Sequence, residues 1–545
     1  MSNGLISAHG SAKGVVRLVP LAVLLFLIGC AGGRSSPTII TPTPSITSLT
    51  PDKGVVGISV TISGANFGSS RGSSTVTFNG TPASTISWSS TSIIARVPTG
   101  ASTGNVVVIV GQNASNGIAF TVETVAAGTI ASADFGFQCS FNLKACPNGQ
   151  WPTSIAQPNL LRLWDCGTGT LGQGCRWSDI EFSAPGVYTW TTLDTWLDTI
   201  YAQTLADPWA TPPAVVYTFG FVSCQEIAAC RNDAEACSIK GCTSVPDDFT
   251  TAGSPSFNNF VTALVNHCNR NNRCVKDLIK YYEMWNEPNN PNFWTGTELQ
   301  VYQMVAPAIG IIRSVVNGQN DAQTATIMTI ASTAEPSYTA TWLGYESQYG
   351  VGSDVVVWHQ YLNDQTVEVA PEDPALESTL SNLIQDAVNV GKPWQITETS
   401  WQAYTPPYSC DTSIFSTSDC IGQMVRWQLI VLSRGAQSLD WYSWNVNIGS
   451  QPSYAGPWAS MMADLVGGKF SDGPCSTSDG VTWTCPFTEA DGVTSALWVW
   501  TTDEAGSTFT VPPGFNNSLD LSGTSAAVNP GQLIDISVMP IMLTQ

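Results

Sequence analysis

The chain has 545 residues, more than a typical domain of roughly 100 to 200, so two or three folded units are expected. With 43% hydrophobic and only 11% charged residues, wholesale disorder is excluded. Lys and Arg number 20 against 41 Asp and Glu, and the resulting charge of -21 would repel a nucleic acid.

Lys13 and Arg17 precede the apolar run Leu18 to Ile28. At about 1.5 Å per residue this run is too short to cross a bilayer core of roughly 30 Å, so residues 1–30 read as a signal peptide. The run ends in Leu27-Ile28-Gly29-Cys30, which resembles the lipobox of bacterial lipoproteins. That resemblance implies lipidation of Cys30 and a place in the cell envelope, at the outer membrane or the cell surface. An ordinary cleaved signal with a chance Cys is the alternative, and it exports the protein equally. No later stretch reaches about 18 uninterrupted apolar residues, so membrane contact is expected through the lipid anchor alone.

Setting Cys30 aside leaves fourteen cysteines, an even number that in an exported chain favours disulfides. Close spacing suggests Cys139/Cys146, Cys166/Cys175, Cys224/Cys230, Cys237/Cys242, Cys268/Cys274, Cys410/Cys420 and Cys475/Cys485, with the four between 224 and 242 leaving their pairing open. C-x2-C spacing is absent and there are three His, one of them in the signal, so neither a metal nor a cofactor is expected.

Residues 31–45 are rich in Gly, Ser, Thr and Pro and read as a flexible linker. Short alternating strands follow at Val56 to Ile62, Thr75 to Phe78, Ser92 to Val97, Asn105 to Val110 and Ile118 to Val122. This pattern predicts a small β-sandwich over 46–123. Ile46-Thr47-Ser48-Leu49-Thr50-Pro51, Ile62-Ser63-Gly64-Ala65-Asn66-Phe67-Gly68 and Val76-Thr77-Phe78-Asn79-Gly80 resemble the immunoglobulin-like IPT/TIG family. In that setting the module implies a spacer, with Trp88 the one ring offered to a glycan.

From 130 to 470, apolar strand-like runs alternate with helical ones, as in βα units around a parallel sheet. The strands are expected at Asp134 to Phe137, Leu160 to Trp164, Val215 to Phe219, Tyr281 to Trp285, Ile327 to Ile330, Val355 to His359, Trp394 to Thr397 and Ser438 to Trp441. Eight strands are the number that closes a (β/α)8 TIM barrel. Helices are expected at Thr192 to Leu205, Phe257 to Asn269, Leu299 to Val316, Leu376 to Val390 and Ile421 to Arg434. Residues 476–545 read as a C-terminal β domain. The expected fold is therefore multidomain: a TIM barrel flanked by two β units.

The fourth strand runs into Trp285-Asn286-Glu287-Pro288 and the seventh into Ile396-Thr397-Glu398-Thr399, which would put two Glu at one mouth. Cleavage of a glycosidic bond needs a carboxylic acid to protonate the leaving oxygen and a carboxylate at the anomeric carbon. Here the chain resembles the clan A glycoside hydrolases, retaining (β/α)8 enzymes. The resemblance implies Glu287 as general acid and base and Glu398 as nucleophile. It implies Arg162 beside the nucleophile, Asn286 on the sugar 2-hydroxyl, His359 and Tyr361 of His359-Gln360-Tyr361 in the mouth, and Trp444 flooring the subsite, with Trp441 its rival. Trp177, Trp294 and Trp401 are further candidate sugar platforms. Tyr217-Thr218-Phe219-Gly220-Phe221 lacks the His that cellulase-type members often carry after strand three. Arg162-Leu163-Trp164-Asp165 and Gly186-Val187-Tyr188-Thr189-Trp190 look more like the β-xylosidase family numbered thirty-nine or a relative.

The expected activity is a retaining β-glycosidase on a polysaccharide or oligosaccharide, acting as a monomer. The competing reading is a catalytically inactive glycan-binding or adhesion protein at the cell surface. A metal-dependent hydrolase lacks ligands, since His267 and His359 stand in different contexts.

Overall fold

The structure is a computed structural model. It describes residues 42–545 apart from 126, 139–158, 165, 168–172, 207–212, 232–241, 318–323, 364–367, 402–409, 443–451 and 472. Cys30 and Trp444 therefore lie outside the described residues, as do Cys139, Cys146 and Cys237.

The N-terminal unit is a two-sheet sandwich. One sheet orders Ser45–Thr50, Ser59–Ala65, Ser92–Arg96 and Thr85–Trp88 side by side. The other orders Lys53–Gly54, Ile118–Val122, Gly104–Val110, Thr75–Phe78 and Thr81–Ala83. Alternation does the folding work here: Val60, Ile62, Val76, Phe78, Ile93, Val106 and Val108 point inward and are buried, while their neighbours face out. The sandwich is docked on the body. Gln385 accepts from the Val55 N–H at 2.7 Å and donates to Glu123 at 2.9 Å, and Arg96 donates to the Pro374 carbonyl at 2.5 Å. Gly57 sits against Ser381 in the left-handed region (φ +91), where an added Cβ would lie 2.1 Å from the Ser381 hydroxyl.

All eight expected strands of the body are present: β1 (Phe135–Phe137), β2 (Leu160–Leu163), β3 (Ala214–Thr218), β4 (Tyr281–Glu283), β5 (Thr326–Met328), β6 (Val356–His359), β7 (Trp394–Thr399) and β8 (Leu439–Trp441). They pair in parallel in the order β5-β4-β3-β2-β1-β8-β7-β6, with the two-residue strand Ser332–Thr333 beyond β6. A parallel bridge between Met328 and Val355 joins β5 to the chain entering β6. Consecutive strands thus neighbour one another in cyclic order. Nearly every strand residue is buried, as a sheet covered on both faces requires.

The outer helices are α1 (Thr191–Ala206), α2 (Pro255–Asn266), α3 (Glu298–Val316), α4 (Pro336–Tyr349), α5 (Pro374–Asn389), α6 (Thr417–Ser433) and α7 (Pro452–Leu465). Five match expectation within a few residues. Helix α4 was not expected because its buried face, Thr339, Trp342, Leu343 and Glu346, is half polar; Glu346 is held by the Trp342 ring N–H at 2.8 Å and by Lys392. Helix α7 carries Pro457 in its interior, which reads as a break in the sequence. Helix α3 is long and apolar enough to cross a membrane, but its apolar face, including Val301, Met304, Val305 and Ile312, is buried against the body.

The C-terminal unit is antiparallel β, as expected. It starts earlier, at Lys469–Phe470, which pairs with Thr482–Thr488. Arg426 of α6 ties it to the body, donating to the Val538 carbonyl at 2.9 Å and pairing with Glu372, which also accepts from the Trp500 ring N–H at 2.8 Å.

Disulfides Cys166–Cys175, Cys268–Cys274, Cys410–Cys420 and Cys475–Cys485 form as the spacing suggests. The pairings Cys224/Cys230 and Cys237/Cys242 do not hold: Cys230 bonds Cys242. A β-bridge between Val222 and Cys242 brings the distant cysteine back beside the end of β3, so spatial return outweighs nearness in sequence.

Candidate active site

The candidate residues gather where the strands end, as parallel α/β sheets arrange their sites. Arg162 lies within β2 and is fully buried. Its five N–H groups meet five acceptors. Nε and Nη2 grip the two oxygens of Glu283, Nη2 also reaches the Asn286 Oδ1 at 2.7 Å, and Nη1 donates to Glu398 Oε2 at 2.8 Å and to Gln138. Burial opposes the Arg162 charge, but the Glu283 and Glu398 carboxylates outweigh it and hold the guanidinium above its ordinary value.

Asn286 and Glu287 are clamped by the backbone just past β4. The Asn286 N–H donates to the Phe219 carbonyl at 2.9 Å and the Glu287 N–H to the Ala331 carbonyl at 2.7 Å. Glu287 occupies the left-handed region at φ 43, a conformation that costs a non-glycine residue of order 1 kcal/mol and persists where the surroundings over-determine it. Gly220 makes room for this segment: a Cβ there would lie 2.4 Å from the Trp164 ring and 3.4 Å from the Asn286 Cβ.

A bulge aims the second carboxylate. On β7 the register against β6 runs Trp358 to Ile396 and then His359 to Glu398, so Thr397 is the extra residue. This shift sets Glu398 directly opposite His359, the re-aiming for which bulges serve beside active sites.

His359 stands between the two acids. Its Nδ1 is 2.7 Å from Glu287 Oε1 and 3.8 Å from Glu398 Oε2. The nearest oxygens of the two carboxylates and a His359 ring nitrogen all lie within 4.8 Å of one another. Tyr361 donates its hydroxyl to Glu398 Oε1. Burial, then the Glu398 and Glu287 charges, push the Tyr361 hydroxyl well above its ordinary value, so it stays a donor. The Glu287 and Glu398 side chains are nearly buried, keeping 9% and 8% of their surface open. Three ligand atoms at this spacing could also hold a cation, but the Arg162 guanidinium against Glu398 opposes a second positive charge there.

Of the expected residues, Arg162, Asn286, Glu287, His359, Tyr361 and Glu398 are brought together. Trp441 is fully buried with its ring against Trp401 and Trp458, so it is core and not a subsite floor. Trp177, Trp294 and Trp401 are buried too and serve loop packing rather than as sugar platforms. His267 pairs with Asp194 at 2.6 Å, away from the acids. Glu283 and Gln138 were missed. A carboxylate inside the apolar run Tyr281-Tyr282-Glu283-Met284-Trp285 needs a buried cation, and that was the available signal for Glu283.

Residues 44–122 match the family model of the IPT/TIG domain. An IPT/TIG domain is present. No curated protein matches the chain. Among solved structures, a glucosidase from Croceicoccus marinus superposes with a TM-score of 0.50 at 13% identity, covering 77% of this chain and 97% of that one. A monomeric β-xylosidase from Caulobacter crescentus gives 0.45 at 14% identity, with coverage of 77% and 97%. A xyloglucanase of glycoside hydrolase family 44 from Paenibacillus polymyxa gives 0.45 at 11% identity, with the same coverage. These three neighbours are glycoside hydrolases by name, and at 13% identity the likeness to the glucosidase is one of fold alone.

Proposed function

We propose that the protein is an exported, lipid-anchored retaining β-glycosidase that hydrolyses O-glycosidic bonds of a polysaccharide or oligosaccharide by double displacement on a closed (β/α)8 barrel. The observation that carries the reading is the pair Glu287 and Glu398, with oxygens within 4.8 Å at the ends of β4 and β7. Retaining enzymes place their carboxyl groups about 5 to 5.5 Å apart, whereas inverting ones leave about 6.5 to 9.5 Å for a water. The cyclic strand order and the bridge from Met328 to Val355 support the barrel. The disulfides support export, since such bonds persist in oxidising compartments. Lipidation of Cys30 rests on the lipobox resemblance.

In the first step the Glu398 carboxylate attacks the anomeric carbon while Glu287 gives its proton to the departing glycosidic oxygen. Arg162 and Tyr361 hold Glu398 by one bond to each oxygen, which fixes its orientation. In the second step Glu287, now a carboxylate, takes a proton from water, whose oxygen displaces Glu398 from the sugar. His359, bonded to Glu287, keeps that carboxyl pointed at the reacting oxygen through both steps. Asn286 presents its amide to the 2-hydroxyl.

The test is a panel of aryl β-glycosides and polysaccharides with wild type, Glu287→Ala and Glu398→Ala. Azide is expected to rescue Glu398→Ala on an activated substrate with inverted product, and Glu287→Ala with retained product. Absence of wild-type turnover on every β-linked substrate would overturn the reading in favour of an inactive glycan-binding protein.

A further inference from the structure

We propose that Glu283 is a positioning residue for the reaction, setting through Arg162 both the orientation of the Glu398 carboxylate and the direction in which Asn286 donates. The inference deepens the glycosidase reading and rests on it. Glu283 is fully buried at the end of β4, four residues before Glu287. It takes two edges of the guanidinium, Nε and Nη2, where each other partner takes one. A bidentate fork of this kind fixes the plane of the group and not merely its position. With the plane fixed, Nη1 has one direction in which to meet Glu398 and Nη2 one direction in which to meet Asn286.

Two consequences reach the substrate. Because the Asn286 Oδ1 accepts from Arg162, its Nδ2 is the end left to donate to a sugar hydroxyl. And because Glu283 shares the guanidinium charge, Glu398 feels only part of it. A lone Arg against the nucleophile would hold its negative charge more tightly and make it a poorer attacker. Asp440, a further acid near Arg162 among the described residues, does not substitute, since burial first and then the Glu283 and Glu398 charges push its carboxyl well above the ordinary range despite Arg162.

Glu283→Gln removes the charge and half of the fork, because an amide offers one acceptor where the carboxylate offered two. On an aryl β-glycoside hydrolysed by wild type, the variant is expected to lose about 10- to 100-fold in kcat with KM within about threefold. The acid limb of its kcat/KM profile should move to lower pH, because a negative charge has been removed from the far side of the guanidinium that Glu398 shares. Glu283→Asp keeps the charge and should lose kcat with the limb unmoved; Glu283→Met stands in where Glu283→Gln does not fold. A folded uncharged variant whose acid limb coincides with that of wild type, whatever its melting temperature, overturns the inference and leaves the glycosidase reading intact. A wild type inactive on every β-glycoside takes both down.

Discussion

Replacing Arg162 by Met should cost the body far more than one side chain's packing. The substitution strands Glu283, which is fully buried and bonded to Arg162 through both oxygens, and it frees one oxygen of Glu398. Breaking a buried pair by removing one partner costs about 3–5 kcal/mol, because the remaining charge is left without compensation. At about 2 °C per kcal/mol, the low end for larger domains, the midpoint of the body should fall by roughly 6–10 °C. The double variant Arg162→Met/Glu283→Leu removes both charges, and apolar replacement of a buried pair is often close to neutral, so it should regain at least half of the loss. It should not regain activity, since Glu398 and Asn286 still lack their anchor. Differential scanning calorimetry is the suitable assay, because the three units can unfold in separate transitions and a single global midpoint would blur them. A single variant within about 1 kcal/mol of wild type, or a double variant no more stable than the single, would refute the claim that loss of Arg162 leaves Glu283 buried and uncompensated.

Gly220→Ala would drive a methyl to 2.4 Å from the Trp164 ring and against Asn286. Overpacking of this kind costs about 1–3 kcal/mol, and kcat should fall with the displaced Asn286, as steady-state kinetics would show. Burial raises the Asp134 carboxyl to about 7, against an opposing bond from the Ala131 N–H. Between about pH 4 and 7 the folded chain therefore keeps a proton that the unfolded chain has lost, so this group's contribution to stability falls as pH rises through that window. Melting curves from pH 4 to 8 should show the slope in wild type and a shallower one in Asp134→Asn. Gln385→Ala removes the bonds to Val55 and Glu123 that dock the sandwich. Limited proteolysis between 123 and 130 should quicken, while hydrolysis of a small aryl glycoside stays at the wild-type rate.

The parts of the site that could be read in the sequence are those whose chemistry is written locally. Asn286-Glu287 and His359-Gln360-Tyr361 follow apolar strand runs, and alternation of period two would put His359 and Tyr361 on one face, whereas the adjacent Asn286 and Glu287 turn to one site because Glu287 takes the left-handed region; the meeting of the two segments follows from the order of the strands. What could not be read depends on exchange between strands. The fork from Arg162 to Glu283 joins residues 121 apart, and the bulge at Thr397 that brings Glu398 opposite His359 leaves no mark in composition. The tryptophans show the same limit from the other side. An indole on a βα loop reads equally as a sugar platform or as core, and burial of Trp177, Trp294, Trp401 and Trp441 decides for core. The Arg162 network is dry as well, since Arg162 and Glu283 are both fully buried. A guanidinium with every donor engaged and no solvent beside it cannot be re-aimed by a substrate. On the proposed glycosidase reading, the Glu398 carboxylate is aimed before a sugar arrives, and binding energy is left for distorting the sugar rather than for ordering the enzyme.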